Sequence, residues 1–501
     1  MLRELLAGVE TVAIHGPTDR EITGLVLDSR RATAGSAFFA LPGVQADGAR
    51  FVAAAVTAGA VAVFGAAGLT VSGATHVEVA EPRLALAQAA GRFNAQPSRA
   101  LQVVAVTGTN GKTTTTYLLE AILEAAGVRA GVVGTTGVRV AGETRPSAFT
   151  TPEAPELQAL LADMRAAHIT CVALEASSHA LVQRRAWGLA CDVCVFTNLT
   201  QDHLDYHGTM AAYLDAKLML FDGRNGGRDK PCAAVVNADD PHAAAVQAAA
   251  ERGGMRIVRY GSPAAVGDHD GVVLAHIAAR PGGLSLRMHE RAGAERHEYD
   301  CELPMLGRYN AWNAAAAWAA ARALGIDGAT ATRGLEQSRG VPGRLERIDA
   351  GQPFVLVVDY AHTPDALERA LAACREHAGG RVLAVFGCGG DRDRGKRPLM
   401  GAVAAAGADR AWVTNDNPRG EDPAAIASAI VDGAPAAGLE VLLDRRAAIA
   451  AAIAAARAGD VVLVAGKGHE TTQTVGSRVL PFDDRIVARE LLASSTKPGA
   501  A

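Results

Sequence analysis

A loop rich in glycine and threonine, set between an apolar strand and a helix, restricts this chain more than any other stretch. Residues 103–116 read VVAVTGTNGKTTTT, and the segment Tyr117–Ala126 continues as a helix. Glycines allow several backbone N–H groups and a helix N-terminus to face one anion. Lys112 would add a positive charge, and Thr113 a hydroxyl for a magnesium ion. The sequence therefore predicts a nucleotide phosphate loop, with ATP or GTP as the ligand.

The loop is a variant of the usual phosphate-binding pattern. Val106 stands five residues before Gly111, where the strict pattern has a glycine. A tight strand-to-helix turn that needs its glycines only for geometry is the alternative. The lysine and the run of threonines favour the phosphate-binding interpretation.

Length and composition limit the class of protein. A chain of 501 residues is too long for one ordinary core, and three domains are expected. The net charge of −4 argues against a general nucleic-acid binder, which needs a broad basic face. We find no signal peptide and no apolar segment long enough to span a membrane, so we expect a cytoplasmic protein without membrane insertion. Seven scattered cysteines suit a reducing compartment, and the Cys191–Cys194 pair is expected to be buried and structural.

Strand-like and helical segments alternate along the whole chain, which predicts an α/β fold of three domains. Residues 1–100 form a small N-terminal α/β domain in this interpretation. Residues 101–340 form a central doubly wound sheet of the phosphate-loop type, and residues 341–501 form a C-terminal Rossmann-like domain. The turn-forming segment Val341-Pro-Gly-Arg344 marks the boundary between the central and C-terminal domains.

Polar residues follow the predicted central strands. Cys171–Leu174 leads directly into Glu175, and His203 comes shortly after Val193–Phe196. Because the carboxyl ends of parallel strands share one crevice, we expect both side chains to face the phosphate loop. Oxygen and imidazole ligands beside a phosphate suit Mg²⁺. An ordinary surface or packing histidine is the alternative for His203.

Lys217 would lie among apolar residues if its segment is helical. Tyr213, Leu220 and Phe221 are three or four residues away and would share its helix face. Apolar surroundings lower the pKa of a lysine, and a neutral amine can react with carbon dioxide to form a carbamate, which could bind a metal. The alternative is a lysine that extends its ammonium group to solvent.

The C-terminal region repeats the arrangement of strand followed by polar motif. Residues 387–390 lack the GxGxxG spacing, so no dinucleotide site is predicted. Arg392, Arg419 and Glu470 lie at neighbouring strand ends. Arginines bind carboxylates and a carboxylate binds an ammonium group, so this region is predicted to bind a small zwitterion.

Seven motifs follow one another in the order known from one family: GTNGKTTT, EASSH, TNLTQDHLDYHG, DYAHTPDALE, GCGGDRDRGKRPLMG, DNPRGEDP and AGKGHE. The chain resembles, over essentially its whole length, the Mur ligases of peptidoglycan precursor synthesis. The resemblance implies three domains that bind, in chain order, a UDP-sugar, ATP and an amino acid. In that family ATP phosphorylates a substrate carboxylate, and the amine of the amino acid attacks the acyl phosphate. ATP and Mg²⁺ are the implied cofactors, and we expect a monomer.

The resemblance also implies the residues of each site. ATP contacts would be Gly108, Thr109, Asn110, Gly111, Lys112, Thr113, Thr114, Asn313, Arg344 and Asp359. Mg²⁺ ligands would be Thr113, Glu175, His203 and Lys217 as a carbamate, and the last three would share the catalytic role with Lys112. The UDP-sugar and its peptide would contact Leu27, Ser29, Val44, Gln45, Ala46, Thr150, Thr151, Ser177, Gln183 and Arg185. Phe149 stands where some relatives have a polar residue, and its role is left open. Diaminopimelate would contact Arg392, Asp416, Asn417, Pro418, Arg419, Gly466 and Glu470.

The intact DNPR motif favours one amino-acid substrate. Family members that add meso-diaminopimelate carry this arginine for the far carboxylate, whereas lysine has no second carboxylate to pair with it. The resemblance therefore implies that meso-diaminopimelate is added to UDP-N-acetylmuramoyl-L-alanyl-D-glutamate. A lysine-adding Mur ligase, a ligase like folylpolyglutamate synthase, and a non-catalytic ATP-binding regulator remain alternatives.

Overall fold

The computed structural model describes residues 1–43, 47–140, 143–147, 149–227, 229–280, 282–436 and 438–495. The chain folds as two units. The first comprises residues 1–273, 291–295 and 316–331, and the second comprises residues 274–290, 296–315 and 332–501. The predicted α/β class is confirmed, while the predicted domain boundaries stay predictions.

A five-stranded sheet forms the beginning of the first unit. Its elements are α1 (Leu2–Leu6), β1 (Ala13–His15), β2 (Gly24–Val26), β3 (Ser36–Phe39), α2 (Val52–Thr57), β4 (Ala62–Gly65), β5 (Thr75–Glu78) and α3 (Pro82–Phe93), with 3₁₀ turns at Ser29–Arg31, Gly48–Phe51 and Pro97–Arg99. The strand order is β1-β5-β4-β3-β2, in which only the β1–β5 pair is antiparallel. One face packs on Leu5 and Leu86, and the other on Val52 and Ala55, so helices cover both faces.

The central sheet begins in the first unit. Its elements are β6 (Gln102–Thr107), α4 (Lys112–Ala125), β7 (Ala130–Gly134), β8 (Gly137–Val140), β9 (Glu143–Arg145), α5 (Ala154–Ala166), β10 (Cys171–Glu175), α6 (Ser178–Val182), β11 (Val193–Phe196), α7 (Leu204–His207), α8 (Met210–Leu218), β12 (Ala233–Asn237), α9 (Ala243–Arg252), β13 (Arg256–Gly261), α10 (Pro263–Val266) and β14 (Gly271–Arg280). β6 lies between β10 and β11 and is parallel to both. The predicted strands match these bounds within about a residue. The helix expected at Tyr117 begins earlier, at Lys112, because the phosphate loop ends directly in its first turn.

The position of β6 decides what can meet the phosphate loop. Glu175 is in register with Val106, and Phe196 with Thr107. The loops after β10 and β11 therefore open at the same edge of the sheet as the loop after β6.

The remaining elements begin with the last two strands of the central sheet and continue into a third sheet. They are β15 (Gly283–Ala292), β16 (Glu295–Leu303), α11 (Asn310–Ala323), α12 (Gly328–Glu336), β17 (Glu346–Ile348), β18 (Val355–Asp359), α13 (Pro364–His377), β19 (Val382–Phe386), α14 (Lys396–Gly407), β20 (Arg410–Val413), α15 (Pro423–Val431), β21 (Glu440–Val441), α16 (Arg445–Ala455), β22 (Val461–Ala465), β23 (Thr472–Val475), β24 (Arg478–Pro481) and α17 (Asp484–Ser495). In the second unit β17-β18-β22-β19-β20-β21 form a sheet that is parallel except for β17. Apolar clusters cover both of its faces, as in a Rossmann-like fold. No helix in the described residues is long and apolar enough to cross a membrane.

A buried ion pair braces this third sheet. The Arg445 guanidinium and the Asp484 carboxylate are 2.7 Å apart, and both side chains are fully buried. Arg445 also donates to the carbonyl oxygens of Asn415 at 3.2 Å and Ala465 at 2.9 Å. These two residues immediately precede the DNPR and GKGHE segments, so one side chain holds the starts of both.

We expect Asp484→Ala to lower the free energy of unfolding by about 3–5 kcal/mol, because it leaves a buried guanidinium without its partner. Glu490→Ala is the matched control. It removes the exposed Arg446–Glu490 pair, which joins α16 to α17 as the Arg445–Asp484 pair does. This change should lower the free energy of unfolding by at most about 1 kcal/mol. Urea unfolding of both variants tests the difference, and similar losses would contradict it.

Candidate active site

The phosphate loop depends on two glycines. Gly108 has φ +144° and Gly111 has φ +86°, a region that side-chain-bearing residues rarely adopt. A Cβ atom at Gly108 would lie 1.9 Å from the Thr197 hydroxyl oxygen, so a larger residue would clash with the turn that follows β11. Val106, at the position where a glycine is usual, is buried within β6 instead.

The turn after β11 holds the phosphate loop in place. The Thr197 hydroxyl donates to the Asn110 carbonyl at 2.7 Å, and the Asn198 carbonyl accepts from the Thr109 N–H at 2.8 Å. The Asn198 side chain also accepts from the Asn110 N–H at 2.9 Å. The predictions did not assign a role to Thr197 or Asn198, although both lie within the TNLTQDH motif.

Lys112 turns its ammonium group into the loop. Its Nζ lies 3.0 Å from the Gly108 carbonyl oxygen and 2.8 Å from that of Thr109. Thr113 and Thr114 follow it in the first turn of α4, where both are partly buried. A positive charge, a threonine hydroxyl and a helix N-terminus therefore lie within one turn of chain.

Lys217 is buried against the same loop. Only 1% of its surface is exposed, and its Nζ donates to the Gly108 carbonyl at 2.8 Å and lies 4.3 Å from the centre of the Tyr213 ring. Burial lowers its pKa well below the ordinary lysine value, and the nearby Lys112 charge lowers it further. Leu220 and Phe221 are also buried, but helix α8 ends at Leu218, so the expectation that they continue its helical face was wrong.

Glu175 is fully buried at the end of β10. Its carboxylate accepts hydrogen bonds from the Thr135 N–H at 2.9 Å and the Thr135 hydroxyl at 3.1 Å. Each oxygen keeps capacity to accept a further interaction, since a carboxylate has about four acceptor positions. Thr135 was not among the predicted residues, because its contact with Glu175 joins two different strands.

The predicted peptide-contacting residues surround Glu175. Thr150 and Thr135 have their hydroxyl oxygens 3.0 Å apart, and the Thr151 hydroxyl donates to the Glu175 carbonyl at 2.6 Å. The Ser177 N–H donates to the Thr151 hydroxyl at 3.2 Å. These side chains therefore form one continuous polar group at the end of β10.

Arg185 extends this polar group. Its guanidinium donates to the Thr151 carbonyl at 3.2 Å and to the Gln183 side chain at 2.6 Å, and it lies 3.0 Å from the Glu153 carboxylate. The guanidinium also lies 4.4 Å from the centre of the Phe149 ring. Phe149 thus stacks on the arginine, a contact that a polar residue would not make in the same way.

His203 lies in a group of aromatic side chains. Its backbone has φ +53°, its side chain is 44% exposed, and its ring is 3.4 Å from the Asp202 carboxylate. The His179 ring meets it edge-on at 4.8 Å, and the His207 ring lies 5.4 Å from that of His179. Burial lowers the pKa of His179, and the neighbouring His203 lowers it further. The described residues do not unite His203 and Glu175 in one cluster of His, Cys, Asp and Glu ligands.

The structure describes some of the predicted UDP-sugar residues, Leu27 and Ser29 among them. Leu27 lines a cavity of about 210 Å³ together with Leu25, Arg31 and Phe93. Ser29 begins the 3₁₀ turn that Asp28 caps by accepting from the Arg30 N–H. The predictions for Val44, Gln45 and Ala46 lie outside the described residues.

Three predicted nucleotide contacts belong to the second unit. Asp359 ends β18 and accepts from the backbone N–H groups of Leu345 at 2.7 Å and Ala361 at 2.8 Å. Burial raises the pKa of Asp359, although those hydrogen bonds oppose the rise. The Arg344 guanidinium lies 5.1 Å from the centre of the Tyr360 ring. Asn313 donates to the Asn310 side chain at 2.9 Å.

A buried lysine joins several predicted diaminopimelate contacts. Lys467 is fully buried, and its Nζ lies 3.2 Å from Asn417 Oδ1, 3.2 Å from Glu470 Oε2 and 3.6 Å from Asp416 Oδ1. Asn417 also donates to Glu470 at 2.9 Å. Lys467 was not predicted as a site residue, although it lies inside the GKGHE motif.

Arg419 lies beside this network with a left-handed backbone, φ +50°. Its guanidinium donates to the Gly390 carbonyl at 2.9 Å, and its backbone exchanges hydrogen bonds with Thr474 and Gly476 of the β23–β24 hairpin. Arg392 is exposed on the loop that contains Gly390. Pro418 and Gly466 complete the predicted set. The Pro418 carbonyl would lie 1.9 Å from a Cβ at Gly390, and a Cβ at Gly466 would lie 3.6 Å from Asp416.

Three family models match the chain in succession. They are the Mur ligase family, catalytic domain, at residues 21–106, the Mur ligase middle domain at residues 106–321, and the Mur ligase, glutamate ligase domain, at residues 343–468. A UDP-N-acetylmuramoyl-L-alanyl-D-glutamate--2,6-diaminopimelate ligase of Syntrophomonas wolfei is 42% identical over 500 residues, which are 99% of this chain and 100% of that protein. The ligase of the same name from Geobacillus kaustophilus is 43% identical and covers 97% of this chain and 98% of its own.

This chain belongs to the Mur ligase family.

Solved structures agree with the three-domain α/β fold of this Mur ligase. A structure of UDP-N-acetylmuramoyl-L-alanyl-D-glutamate--2,6-diaminopimelate ligase is 34% identical, with a TM-score of 0.75 and coverage of 99% of both chains. Mycobacterium tuberculosis folylpolyglutamate synthase is 19% identical, with a TM-score of 0.58, and covers 76% of this chain and 91% of its own. The second likeness shows a shared fold alone.

We expect the buried Lys217 to make stability depend on pH. In the folded chain its pKa is well below the ordinary value, whereas the unfolded lysine keeps its proton to about pH 10.4. Between the two pKa values unfolding takes up a proton. The free energy of unfolding should therefore rise with pH, by about 1.4 kcal/mol per unit.

Lys217→Met should remove this rise while preserving the buried volume. Urea unfolding in bicarbonate-free buffer, from about pH 7 to about pH 10, compares the variant with the wild type. Equal pH dependence in the two proteins would mean that Lys217 stays charged in the folded chain.

Proposed function

We propose that this Mur ligase uses ATP to add meso-diaminopimelate to UDP-N-acetylmuramoyl-L-alanyl-D-glutamate. The observation that carries the proposal is Arg419, which lies beside the network of Asp416, Asn417 and Glu470. Relatives that are 42% identical over their full length bear the name of this ligase. We also propose a cytoplasmic, monomeric protein, as expected for an enzyme that acts on soluble precursors.

The nucleotide half of the proposal rests on the phosphate loop. Backbone N–H groups from Gly108 to Thr114 and the Lys112 ammonium group would hold the phosphates of ATP. Asn313, Arg344 and Asp359 are proposed to contact phosphate and ribose. Asp359 supports this role, because its carboxylate retains acceptor positions beyond its two backbone hydrogen bonds.

The donors near the loop fit a magnesium ion. Thr113 offers a hydroxyl and Glu175 a carboxylate with free acceptor capacity, which are ligands that Mg²⁺ prefers. His203 is proposed as a further ligand. The ion would neutralise phosphate charge when bound.

The reaction needs an activated carboxylate, since a free carboxylate is a poor electrophile. A carboxylate oxygen of the bound peptide attacks the γ-phosphorus of ATP, and ADP leaves. The amine of the incoming amino acid then attacks the acyl carbon, its nitrogen loses a proton to solvent as the amide bond forms, and phosphate leaves with the electron pair of the broken C–O bond. Thr150, Thr151, Ser177, Gln183 and Arg185 would hold the peptide in line for both steps, so the protein contributes mainly positioning and charge.

The proposed amino-acid site predicts that lysine is a poor substrate. Arg419 would pair with the far carboxylate of diaminopimelate, and Glu470 with its ammonium group. Lysine lacks the far carboxylate, so its binding would leave a guanidinium desolvated without an anion. Lys467 would act as a positioning residue, because it holds Asn417 and Glu470 at the same time.

Lys217 is proposed to carry a carbamate. Its lowered pKa favours the neutral amine that reacts with carbon dioxide, and the product would be a carboxylate-like ligand beside the phosphate loop. With ¹³C-labelled bicarbonate, the wild type should give a carbamate NMR signal that Lys217→Met lacks. The same spectrum from both proteins would refute the assignment.

The function is tested by phosphate release from purified protein with ATP, Mg²⁺ and the UDP-linked dipeptide. Release should require meso-diaminopimelate and should not occur with L-lysine. Release with L-lysine but not with diaminopimelate would leave the family assignment intact and would overturn the proposed role of Arg419. Release with neither amino acid would overturn the proposed reaction.

Arg419→Lys should lower kcat/KM for diaminopimelate on the order of 100-fold, which is about 2.7 kcal/mol, because one amine cannot replace a two-pronged pairing. The KM for ATP should change little. Arg394→Lys is the control, since Arg394 lies in the same region but is 74% exposed and pairs with Glu421. If both variants lose diaminopimelate use equally, the specific role of Arg419 is wrong.

A further inference from the structure

Two histidines and a glutamate meet on the N-terminal sheet, on two strands that carry none of the residues of the proposed reaction. His15 of β1 lies directly opposite His76 of β5 in the antiparallel register, and Glu78 is two residues after His76 on the same face. One nitrogen of each ring and one carboxylate oxygen all lie within 4.8 Å of one another. In the described part of the chain, this is the one group of three His, Cys, Asp or Glu side chains with that geometry.

We propose that His15, His76 and Glu78 bind a divalent transition-metal ion of the Zn²⁺ type. The distances between donors are close to those of a metal site. His15 Nε2 lies 3.2 Å and His76 Nδ1 lies 4.0 Å from Glu78 Oε1. Tetrahedral ligands about 2.0–2.1 Å from zinc are about 3.3 Å apart, so the donor separations would have to shrink by up to about 1.5 Å to complete the site.

The burial of His76 favours a ligand over a simple ion pair. His76 is only 6% exposed, so solvent can do little to satisfy its Nδ1, the nitrogen that lies 4.0 Å from Glu78. Its register partner on β4 is Val63, a member of the apolar cluster on that face. A polar ring in such a place is costly unless an interaction compensates for its lost hydration. The ion pair between the exposed His15 and the partly buried Glu78 would by itself compensate little.

The donor set indicates which ion fits. Two imidazoles and one carboxylate suit zinc and similar ions better than Mg²⁺, which prefers oxygen ligands. Three protein ligands leave one position for water, and the side chain of His15, which is 59% exposed, places that position at the surface.

The topology indicates what the ion does. β1 is a three-residue strand at one edge of the sheet, and β2, which precedes Leu27 and Ser29, is the opposite edge. The ion would therefore fasten β1 to β5 and take no part in the ligase reaction.

Calorimetric titration with Zn²⁺, in buffer with excess Mg²⁺, tests the site in the full-length protein. His15→Gln and Glu78→Gln should each weaken one zinc-binding event by about a hundredfold or more, since changes even behind a metal ligand cost 10–100-fold. His269→Gln, at an exposed histidine elsewhere in the first unit, is the control and should bind zinc as the wild type does. Zinc bound at other histidines or cysteines is common to all four proteins and cancels in the comparison.

Hydrogen exchange gives a second measure that does not depend on affinity. Zinc should slow exchange of the β1 amides in the wild type and in the control, but not in His15→Gln. His15 is exposed, so this variant is expected to fold and to keep its ligase turnover. Unchanged zinc binding in His15→Gln and Glu78→Gln, or no effect of zinc on β1, would overturn the proposal.

Discussion

The parallel placement of β6 between β10 and β11 is the constraint on which the first unit's site depends. It brings three loops from distant parts of the chain to one edge of the sheet. The close approach of Gly108 to Thr197 then leaves no room for a side chain, and the hydrogen bonds from Thr197 and Asn198 set the shape of the phosphate loop. Lys217 reaches the same glycine from α8. A single backbone carbonyl therefore accepts from two lysines, and burial holds the pKa of one of them, Lys217, well below the ordinary lysine value.

The second unit also contains buried cations, and each of them is paired with carboxylates. Arg445 and Asp484 are buried together, and Arg445 also donates to the carbonyl groups that precede the DNPR and GKGHE segments. Lys467 is equally buried, but its three partners are the side chains proposed to receive the amino acid. Arg445 thus stabilises the backbone at the ends of the strands. Lys467 instead positions the polar side chains that follow them.

The sequence predicted the strands and the residues at their ends well, because the apolar runs and the polar motifs after them are local patterns. It did not identify Thr135, Lys467 or the His15–His76–Glu78 group. Thr135 and Glu175 meet only because β7 and β10 are neighbours, and His15 meets His76 only because β1 pairs with β5. Such contacts depend on strand order, which residue spacing does not contain. The prediction that Leu220 and Phe221 share the helix face of Lys217 was wrong because α8 ends at Leu218, one residue after Lys217, and the chain then turns.

The position of Arg419 in the proposed amino-acid site depends on the β23–β24 hairpin, to which its backbone is hydrogen-bonded. Its N–H and carbonyl groups are bonded to Thr474 and Gly476, and its left-handed backbone keeps the guanidinium directed at the Gly390 carbonyl. In the proposed site, the identity of the motif residue would therefore be only part of what selects the substrate. A relative could retain DNPR and still lose its selectivity through a shortened or lengthened hairpin, so substrate preference could diverge in evolution without any change in the motif itself.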